Sequence, residues 1–164
     1  MSDFNDLFKT ADWTQEKHVP VIDAPETVPA GEIFQVTVGV GKEIAHPNTT
    51  PHHIRWVTLF FQPDGEKFPY QIGRSEFSAH GESAEGPDTS TVYTHHSTSF
   101  SFKTEKSGTI LAASLCNIHG LWQSSKSLSV EQAPIRLVCF LLRFSLGLFY
   151  QFLGFFHDRL CAIG

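Results

Sequence analysis

The stretch EIFQVTVGV, residues 32–40, alternates apolar and polar side chains with a period of two. Phe34, Val36 and Val38 fall on one side of this segment, and the residues between them fall on the other. This alternation is typical of a β-strand that buries one face, because successive strand side chains point to opposite faces. The stretch therefore predicts a half-buried strand.

Other parts of the chain predict further strands. HIRWVTLFFQ (53–62) is rich in β-branched and aromatic residues, and the turn sequence PDGE ends it. The remaining predicted strands are TVYTHHSTSFSF (91–102), GTILAASL (108–115) and SLSVEQ (127–132). SAHGESAEGPDTS (78–90), rich in glycine, serine and acidic residues, predicts a loop.

One segment looks helical, SDFNDLFKTA (2–11), with Ser2 as its expected N-cap. The rest of the chain up to the last predicted strand shows no helix-length period. Short strands separated by turns are typical of a β-sandwich. The sequence therefore predicts an all-β sandwich with a short N-terminal helix.

The composition limits the classes of function. A chain of 164 residues suits one domain with a sizeable core, and a net charge of −5 offers no basic face, so no nucleic-acid partner is expected. The cysteines Cys116, Cys139 and Cys161 are too few for a disulfide framework. The acidic, polar start of the chain is unlike a secretory signal, and a cytoplasmic location is expected.

The composition changes near residue 132, which predicts a domain at 1–132 and a separate tail at 133–164. The domain carries nine Lys or Arg against sixteen Asp or Glu, whereas the apolar tail carries three against one. Three interpretations of the tail stay open: a membrane-associated or interfacial helix, packing against neighbouring subunits, or a frameshifted or read-through extension. Arg143 within its apolar run would cost about 2.5–3.5 kcal/mol in a membrane-crossing helix.

The stretch LCNIHGLW (115–122) places Cys116 three residues before His119, so that both side chains can bind one metal ion. The chain contains nine histidines, more than packing requires at this length. Zinc, copper and iron stay open at this point. A structural zinc site usually has more thiolates, and a blue-copper site usually has an axial methionine, whereas Met1 is the only methionine here. Several imidazoles with one thiolate also suit iron.

Three motifs, taken together and in their order along the chain, carry a family resemblance: EKHVPVI (16–22), HPNTTPHHIRW (46–56) and CNIHGLW (116–122). The chain resembles the superoxide reductase family, in its single-iron neelaredoxin type, over about residues 1–131. The resemblance implies an immunoglobulin-like sandwich of about seven strands with one non-haem iron (Fe2+/Fe3+). It also implies an oxidoreductase that reduces superoxide to hydrogen peroxide with an external electron donor.

The resemblance assigns the metal ligands position by position. Four histidines hold the iron in a plane and one thiolate binds below it, here His18, His46, His52 and His119 with Cys116. Glu16 is expected to close the sixth position in the oxidised resting state, and Lys17 is expected to stay near that position when it is open.

Two residues of the second motif, His53 and Pro51, flank the expected ligand His52 and are not expected to bind the metal. His53 matches a histidine that is not a ligand in the family, so we expect it to face elsewhere. Pro51 stands where family members commonly carry an acidic residue; proline fixes φ and removes a backbone donor. We expect a small change in loop geometry at Pro51 and no loss of a ligand.

Two alternatives to a reductase stay open. A superoxide dismutase would use the same substrate without a donor, and a non-catalytic electron-transfer sandwich of the cupredoxin kind would have no open coordination position. An open position beside Glu16 and Lys17, together with the missing methionine, counts against the second alternative. By resemblance, the donor is rubredoxin or a similar small redox protein, and the assembly is a homotetramer.

Residues around the ligands are expected to support them. Ring nitrogens that face away from a metal need acceptors, and the candidates by position are Asn48, Thr49 and Asn117, each equally a turn residue. A backbone N–H of Ile118 or His119 is expected to donate to the sulfur of Cys116. Core packing is expected for Trp56 and Trp122, and structural roles are expected for His80, His95 and His96.

Overall fold

The computed structural model describes residues 3–132. In this range the chain forms one helix and eight strands, namely α1 (Phe4–Leu7), β1 (Pro20–Asp23), β2 (Thr27–Pro29), β3 (Phe34–Val40), β4 (Ile54–Pro63), β5 (Tyr70–Glu76), β6 (Ser97–Phe102), β7 (Gly108–Cys116) and β8 (Gly120–Glu131). The predicted all-β class with a short N-terminal helix is confirmed. The tail at 133–164, with its three interpretations, lies outside the described residues.

Two sheets form the sandwich. One has the strand order β1–β3–β6, and the other has the order β2–β8–β7–β4–β5. Neighbouring strands are antiparallel except for β2 and β8, which run parallel. Within residues 3–132 the sandwich has one strand more than the seven or so that the sequence predicts.

The core lies between the two sheets, and β3 shows how the period-two pattern specifies it. Val36 and Val38 are fully buried, whereas Thr37 between them is not. Val57 and Leu59 of β4 belong to the same apolar cluster, so both sheets contribute to it. Full burial of such a side chain stabilises the fold by roughly 1.5–3 kcal/mol. The alternation therefore determines which face of β3 turns inward.

The strand predicted at 91–102 is shorter than expected, because β6 begins at Ser97. The N–H of Val40 in β3 still donates to His96 O at 3.1 Å, but the residues before His96 bond to loops. The carbonyl of Thr94, for example, accepts a hydrogen bond from Asn48 Nδ2 at 2.9 Å. The prediction was therefore wrong for residues 91–96.

Other strand boundaries also differ from the prediction. The segment SLSVEQ is only the last part of β8, which begins at Gly120 directly after the predicted metal motif. No pattern in the sequence predicted β1, β2 or β5. β1 and β2 have only four and three residues, too few to show a period, and β5 has no buried side chain.

The helix is shorter than its predicted range, and its N-cap is Asp3 instead of Ser2, so that prediction was wrong. The Asp3 carboxylate accepts a hydrogen bond from the backbone N–H of Asn5 at 3.3 Å. The helix ends at Leu7, because the next residues turn to bond with β8: Lys9 N–H donates to Leu121 O at 3.0 Å. No helix within residues 3–132 has the length and apolar character needed to cross a membrane.

The three sequence motifs meet at one end of the sandwich. At this end, Pro20 at the start of β1 pairs with Val40 at the end of β3. Ile54 at the start of β4 pairs with Cys116 at the end of β7, and Cys116 also pairs with Gly120 at the start of β8. The loops that precede β1 and β4, and the turn between β7 and β8, are therefore brought together by strand pairing.

Candidate metal centre

Four side chains point ligand atoms at one another at this end of the sandwich: His18, His52, Cys116 and His119. These four atoms all lie within 4.8 Å of one another. His119 Nδ1 is 2.9 Å from His18 Nε2, 3.2 Å from His52 Nε2 and 3.5 Å from Cys116 Sγ. Three imidazole nitrogens and one sulfur directed at a common point are a donor set that could hold one metal ion.

His46 lies beside this group. Its ring centroid is 4.8 Å from the ring centroids of both His18 and His52. Its Nδ1 is 2.6 Å from the carbonyl oxygen of Pro47, whereas its Nε2 is buried without a hydrogen-bond partner in the described part of the chain. A buried nitrogen without a partner is costly unless something else binds it. A metal ion between the rings would satisfy it, so the residues fit a metal with four imidazole donors and one thiolate.

The turn between β7 and β8 holds Cys116 and His119 in place. Cys116 is the last residue of β7 and is only 1% exposed, whereas His119 is exposed. The backbone N–H of His119 donates to Cys116 Sγ at 3.4 Å, as the sequence predicts. Gly120 closes the turn with φ of +78°, a conformation that glycine adopts without strain. The cluster is therefore buried on its sulfur side and reaches solvent at His119.

The loop between β3 and β4, residues 41–53, carries His46 and His52. Thr49 and His52 exchange backbone hydrogen bonds of 3.0 and 3.1 Å, which closes the loop just before the second ligand. Asn117 ties this loop to the β7–β8 turn: its Oδ1 accepts from His53 N at 2.8 Å, and its Nδ2 donates to Pro51 O at 2.9 Å. Asn117 therefore bonds to the backbone and to none of the clustered rings.

Glu16 does not join the converging ligand atoms in this structure. Its Oε1 lies 2.6 Å from His18 Nδ1 and also accepts from the backbone N–H of His18 at 3.2 Å. The carboxylate therefore lies at the ring edge opposite the nitrogen that faces His119. Lys17 is half-buried, and no carboxylate within residues 3–132 lies at ion-pair distance from it.

Burial favours the neutral form of three histidines, His18, His46 and His52. It lowers the pKa of His46 to about 3, and it also lowers the pKa values of His18 and His52. Neutral imidazole is the form that binds a metal. The hydrogen bond from the His18 side chain lowers the pKa of Glu16, which therefore stays a carboxylate.

Trp122 packs in the core as the sequence predicts, but it also touches a clustered histidine. Its ring stacks on His18 with a centroid distance of 5.1 Å and an interplanar angle of 15°. The contact between Trp122 and His18 could not be predicted, because the two residues lie in distant segments and residue spacing gives no indication of it. Trp56 lies on β4 of the same sheet, where Arg74 packs over its ring at 4.3 Å. It is only half-buried and lies outside the core cluster.

The other histidines lie outside the converging group. His53 stacks on His80 at 3.6 Å and bonds through Nδ1 to Thr49 O at 3.1 Å. His96 is buried, with its ring centroid 5.8 Å from that of His46, and His95 is exposed. The contact between His80 and the ligand-bearing loop was missed by sequence reasoning.

The fold and the cluster define a class of protein: a β-sandwich with a group of side chains at one end that could hold a metal ion. Residues 10–125 match the family model described as Desulfoferrodoxin. Neelaredoxin of Megalodesulfovibrio gigas is 54% identical over 126 residues, which cover 77% of this chain and 97% of the relative. Superoxide reductase of Pyrococcus furiosus is 53% identical over 124 residues, with coverage of 76% and 98%.

Solved structures agree with these relatives. The reduced form of superoxide reductase (neelaredoxin) from Archaeoglobus fulgidus superposes with a TM-score of 0.71 at 58% identity, covering 75% of this chain and 98% of that one. The chain therefore belongs to the superoxide reductase family, as its three motifs predict.

Proposed function

We propose that this chain is a superoxide reductase, which adds one electron and two protons to superoxide and releases hydrogen peroxide. The observation that carries the proposal is the convergence of three histidine nitrogens and the Cys116 sulfur within 4.8 Å, in a chain whose relatives are named superoxide reductases. The electron comes from an external donor. Rubredoxin, or a similar small redox protein, is the donor that the family resemblance suggests.

The cofactor in this proposal is one non-haem iron. Its ligands are four imidazoles and one thiolate, namely His18, His46, His52, His119 and Cys116. Bound iron supplies the single electron by cycling between Fe2+ and Fe3+. The unpartnered Nε2 of buried His46 supports its inclusion as the fourth imidazole. Neutral imidazoles leave the metal charge intact, and the single thiolate donates electron density from one side.

Lys17 attracts the substrate. Residues 1–132 carry nine Lys or Arg against sixteen Asp or Glu, so the domain as a whole repels an anion such as superoxide. Two opposite unit charges 4 Å apart attract with roughly 1 kcal/mol in water and about 4 kcal/mol at an effective dielectric constant near 20. Lys17 is next in sequence to His18, and its half-buried ammonium group has no carboxylate partner within residues 3–132, so it is suited to this task.

Glu16 has two roles in this proposal. In the arrangement described above it accepts hydrogen bonds from His18 and so directs His18 Nε2 towards the other ligands. When the bound iron is oxidised, the same carboxylate would bind it, as the family resemblance implies. Glu16 lies in the segment before β1, outside any strand, which leaves its side chain free to change partner.

The setting proposed for the enzyme is a homotetramer in the cytoplasm. The cysteine usage supports a reducing compartment. The division at residue 132 is a prediction from composition, and the three interpretations of the tail all stay open.

Product stoichiometry tests the proposed reaction. The iron-loaded protein, kept reduced by a donor, is given a known amount of superoxide while hydrogen peroxide and oxygen are measured. One peroxide per superoxide with no oxygen is expected. Half a peroxide and half an oxygen, formed faster than in a protein-free control, would identify a dismutase. A rate equal to that control would identify a metal-binding or electron-transfer protein.

A further inference from the structure

We propose that His80 is a positioning residue for the loop that carries His46 and His52. His80 belongs to the long connection between β5 and β6, residues 77–96, which we call the brace loop. It contacts Asn48 and His53, which lie close in sequence to the two ligands. The proposal rests on the proposed function for the identity of the metal and for the ligand roles of His46 and His52.

The first contact of His80 is a hydrogen bond to Asn48. His80 is only 5% exposed, and its Nδ1 lies 2.8 Å from Asn48 Oδ1. The Asn48 amide cannot turn freely, because its Nδ2 donates to Thr94 O at 2.9 Å. Thr94 also belongs to the brace loop. Asn48 is therefore held from both sides by one loop, two residues after His46.

The second contact is a parallel stack. The rings of His80 and His53 have centroids 3.6 Å apart and an interplanar angle of 9°. The backbone N–H of His53 donates to Asn117 Oδ1 at 2.8 Å, which joins the same point to the turn after Cys116. His80 therefore packs against the residue next to His52, at the point where the β3–β4 loop bonds to the β7–β8 turn.

Further hydrogen bonds between backbone and side-chain groups join the brace loop to the loop that carries His46 and His52. Thr50 N–H donates to Asp88 Oδ1 at 2.7 Å, and Asp88 N–H donates to Thr50 Oγ1 at 3.1 Å. Thr50 Oγ1 also donates to His80 O at 3.3 Å. Asp88 has a φ of +58°, the one positive φ of a non-glycine residue in the described chain. Such a conformation persists where surrounding contacts enforce it.

The ring of His80 is itself held on its other edge. Its Nε2 lies 2.8 Å from the carbonyl oxygen of Phe77, and its backbone N–H donates to Glu82 Oε2 at 2.6 Å. A neutral imidazole carries one N–H and so donates to one of its two facing oxygens at a time, whereas an imidazolium donates to both. A phenylalanine at this position retains the stack and loses both polar contacts.

The test is the variant His80→Phe, with His95→Phe as matched control. His95 is an exposed histidine of the same brace loop. Both variants are loaded with iron, and its release to a strong chelator is timed at a temperature where each metal-free protein is fully folded. Visible absorption of the oxidised protein reports the ligand geometry. His80→Phe is expected to release iron about ten-fold faster and to shift the absorption, with His95→Phe matching the wild type.

Two outcomes would overturn the positioning role. One is a His80→Phe protein that melts at a lower temperature but keeps the wild-type release rate and spectrum; the other is an equal change in both variants. Should His80→Phe fail to fold, His80→Gln takes its place, because a glutamine amide can still donate to Asn48, and an intermediate release rate is expected. The proposed function fails separately, if wild-type protein binds no iron or gives no peroxide beyond the protein-free control.

Discussion

Glu16 Oε1 lies 2.6 Å from His18 Nδ1, at the opposite ring edge from His18 Nε2, which lies 2.9 Å from His119 Nδ1. The carboxylate favours a hydrogen on Nδ1, which leaves Nε2 as the lone-pair nitrogen inside the cluster. One short contact thus sets both the tautomer and the orientation of His18.

Removing the Glu16 carboxylate is therefore expected to weaken metal binding. Outer partners of histidine ligands typically contribute 10–100-fold to metal affinity, and we expect Glu16→Ala to lower iron affinity about ten-fold. Glu16→Gln retains an amide oxygen that can accept from His18 Nδ1, so its loss should be smaller. Competition with a chelator measures the iron affinity of both variants. Equal affinities for wild type, Glu16→Ala and Glu16→Gln would contradict the orienting role.

Replacing the thiolate tests the ligand set most directly. Cys116→Ser substitutes a hydroxyl, which is not ionised at neutral pH and donates far less electron density. We expect the thiolate-to-iron colour of the oxidised protein to disappear, while iron bound by imidazoles is retained in part. Visible spectroscopy with iron analysis on the same sample makes the measurement. Survival of the colour would show that the sulfur of Cys116 is not a ligand.

Lys17→Ala tests electrostatic attraction of the substrate. A charge at the mouth of a site raises association rates by about ten-fold or more, and salt screens the effect. We expect the variant to react up to about ten-fold more slowly with superoxide and to depend less on ionic strength. Lys67→Ala is the control, because Lys67 is exposed in the β4–β5 connection. Wild-type salt dependence in Lys17→Ala would refute the attraction.

Sequence reasoning succeeded where the decisive contacts are local. Cys116 and His119 are three residues apart, and the backbone N–H of His119 reaches the sulfur as predicted. The valines of β3 are equally local, because their alternation alone specifies the buried face. Contacts between distant segments could not be derived in this way. His18 and His119 are 101 residues apart, and only the family resemblance brought them together in advance.

The errors have the same physical origin. β5 is a sheet edge with most side chains half-exposed or exposed, so selection for an alternating pattern is weak there. The link between His80 and Asn48 spans 32 residues and depends on how the brace loop folds. The hydrogen bond between Glu16 and the histidine two residues later was likewise missed, because residue spacing does not reveal it.

Acid should destabilise the metal-free protein. The group with the largest effect is His46, whose pKa burial lowers to about 3. Above about pH 6.5 this ring is neutral in both the folded and the unfolded chain. Below that pH the unfolded chain binds a proton that the folded chain does not. The free energy of unfolding therefore falls as the pH drops from about 6.5 towards 3, by up to about 1.4 kcal/mol per pH unit from this residue.

Denaturant unfolding of the metal-free protein at pH 7.5, 6 and 5 measures this slope. Other buried or partly buried histidines act in the same direction, because burial also lowers their pKa values: His18, His52, His80 and His96. The variant His46→Leu cannot bind the proton in either state and should show a smaller slope. A free energy of unfolding that is constant or rises towards pH 5 in the wild type would contradict the assignment.

Gly41 positions His46 through the backbone. It follows β3 with φ of +81°, and a Cβ placed on it would lie 2.5 Å from the backbone nitrogen of His46. Gly65 is a matched control: its φ is +76°, but an added Cβ meets nothing within 4 Å. Both substitutions place an alanine in a left-handed backbone conformation, which lowers the free energy of unfolding by roughly 1–2 kcal/mol. For Gly41→Ala the free energy of unfolding should fall by about 1–3 kcal/mol more, because the chain must move to relieve the clash.

That movement displaces His46, so the two variants should also differ in metal binding. Gly41→Ala is expected to release iron faster than wild type, whereas Gly65→Ala should keep the wild-type rate despite its lower stability. Denaturant unfolding and chelator challenge on both variants separate the backbone cost from the displacement of a ligand. Equal losses of stability with unchanged iron release would mean that the loop absorbs the added methyl group without moving His46.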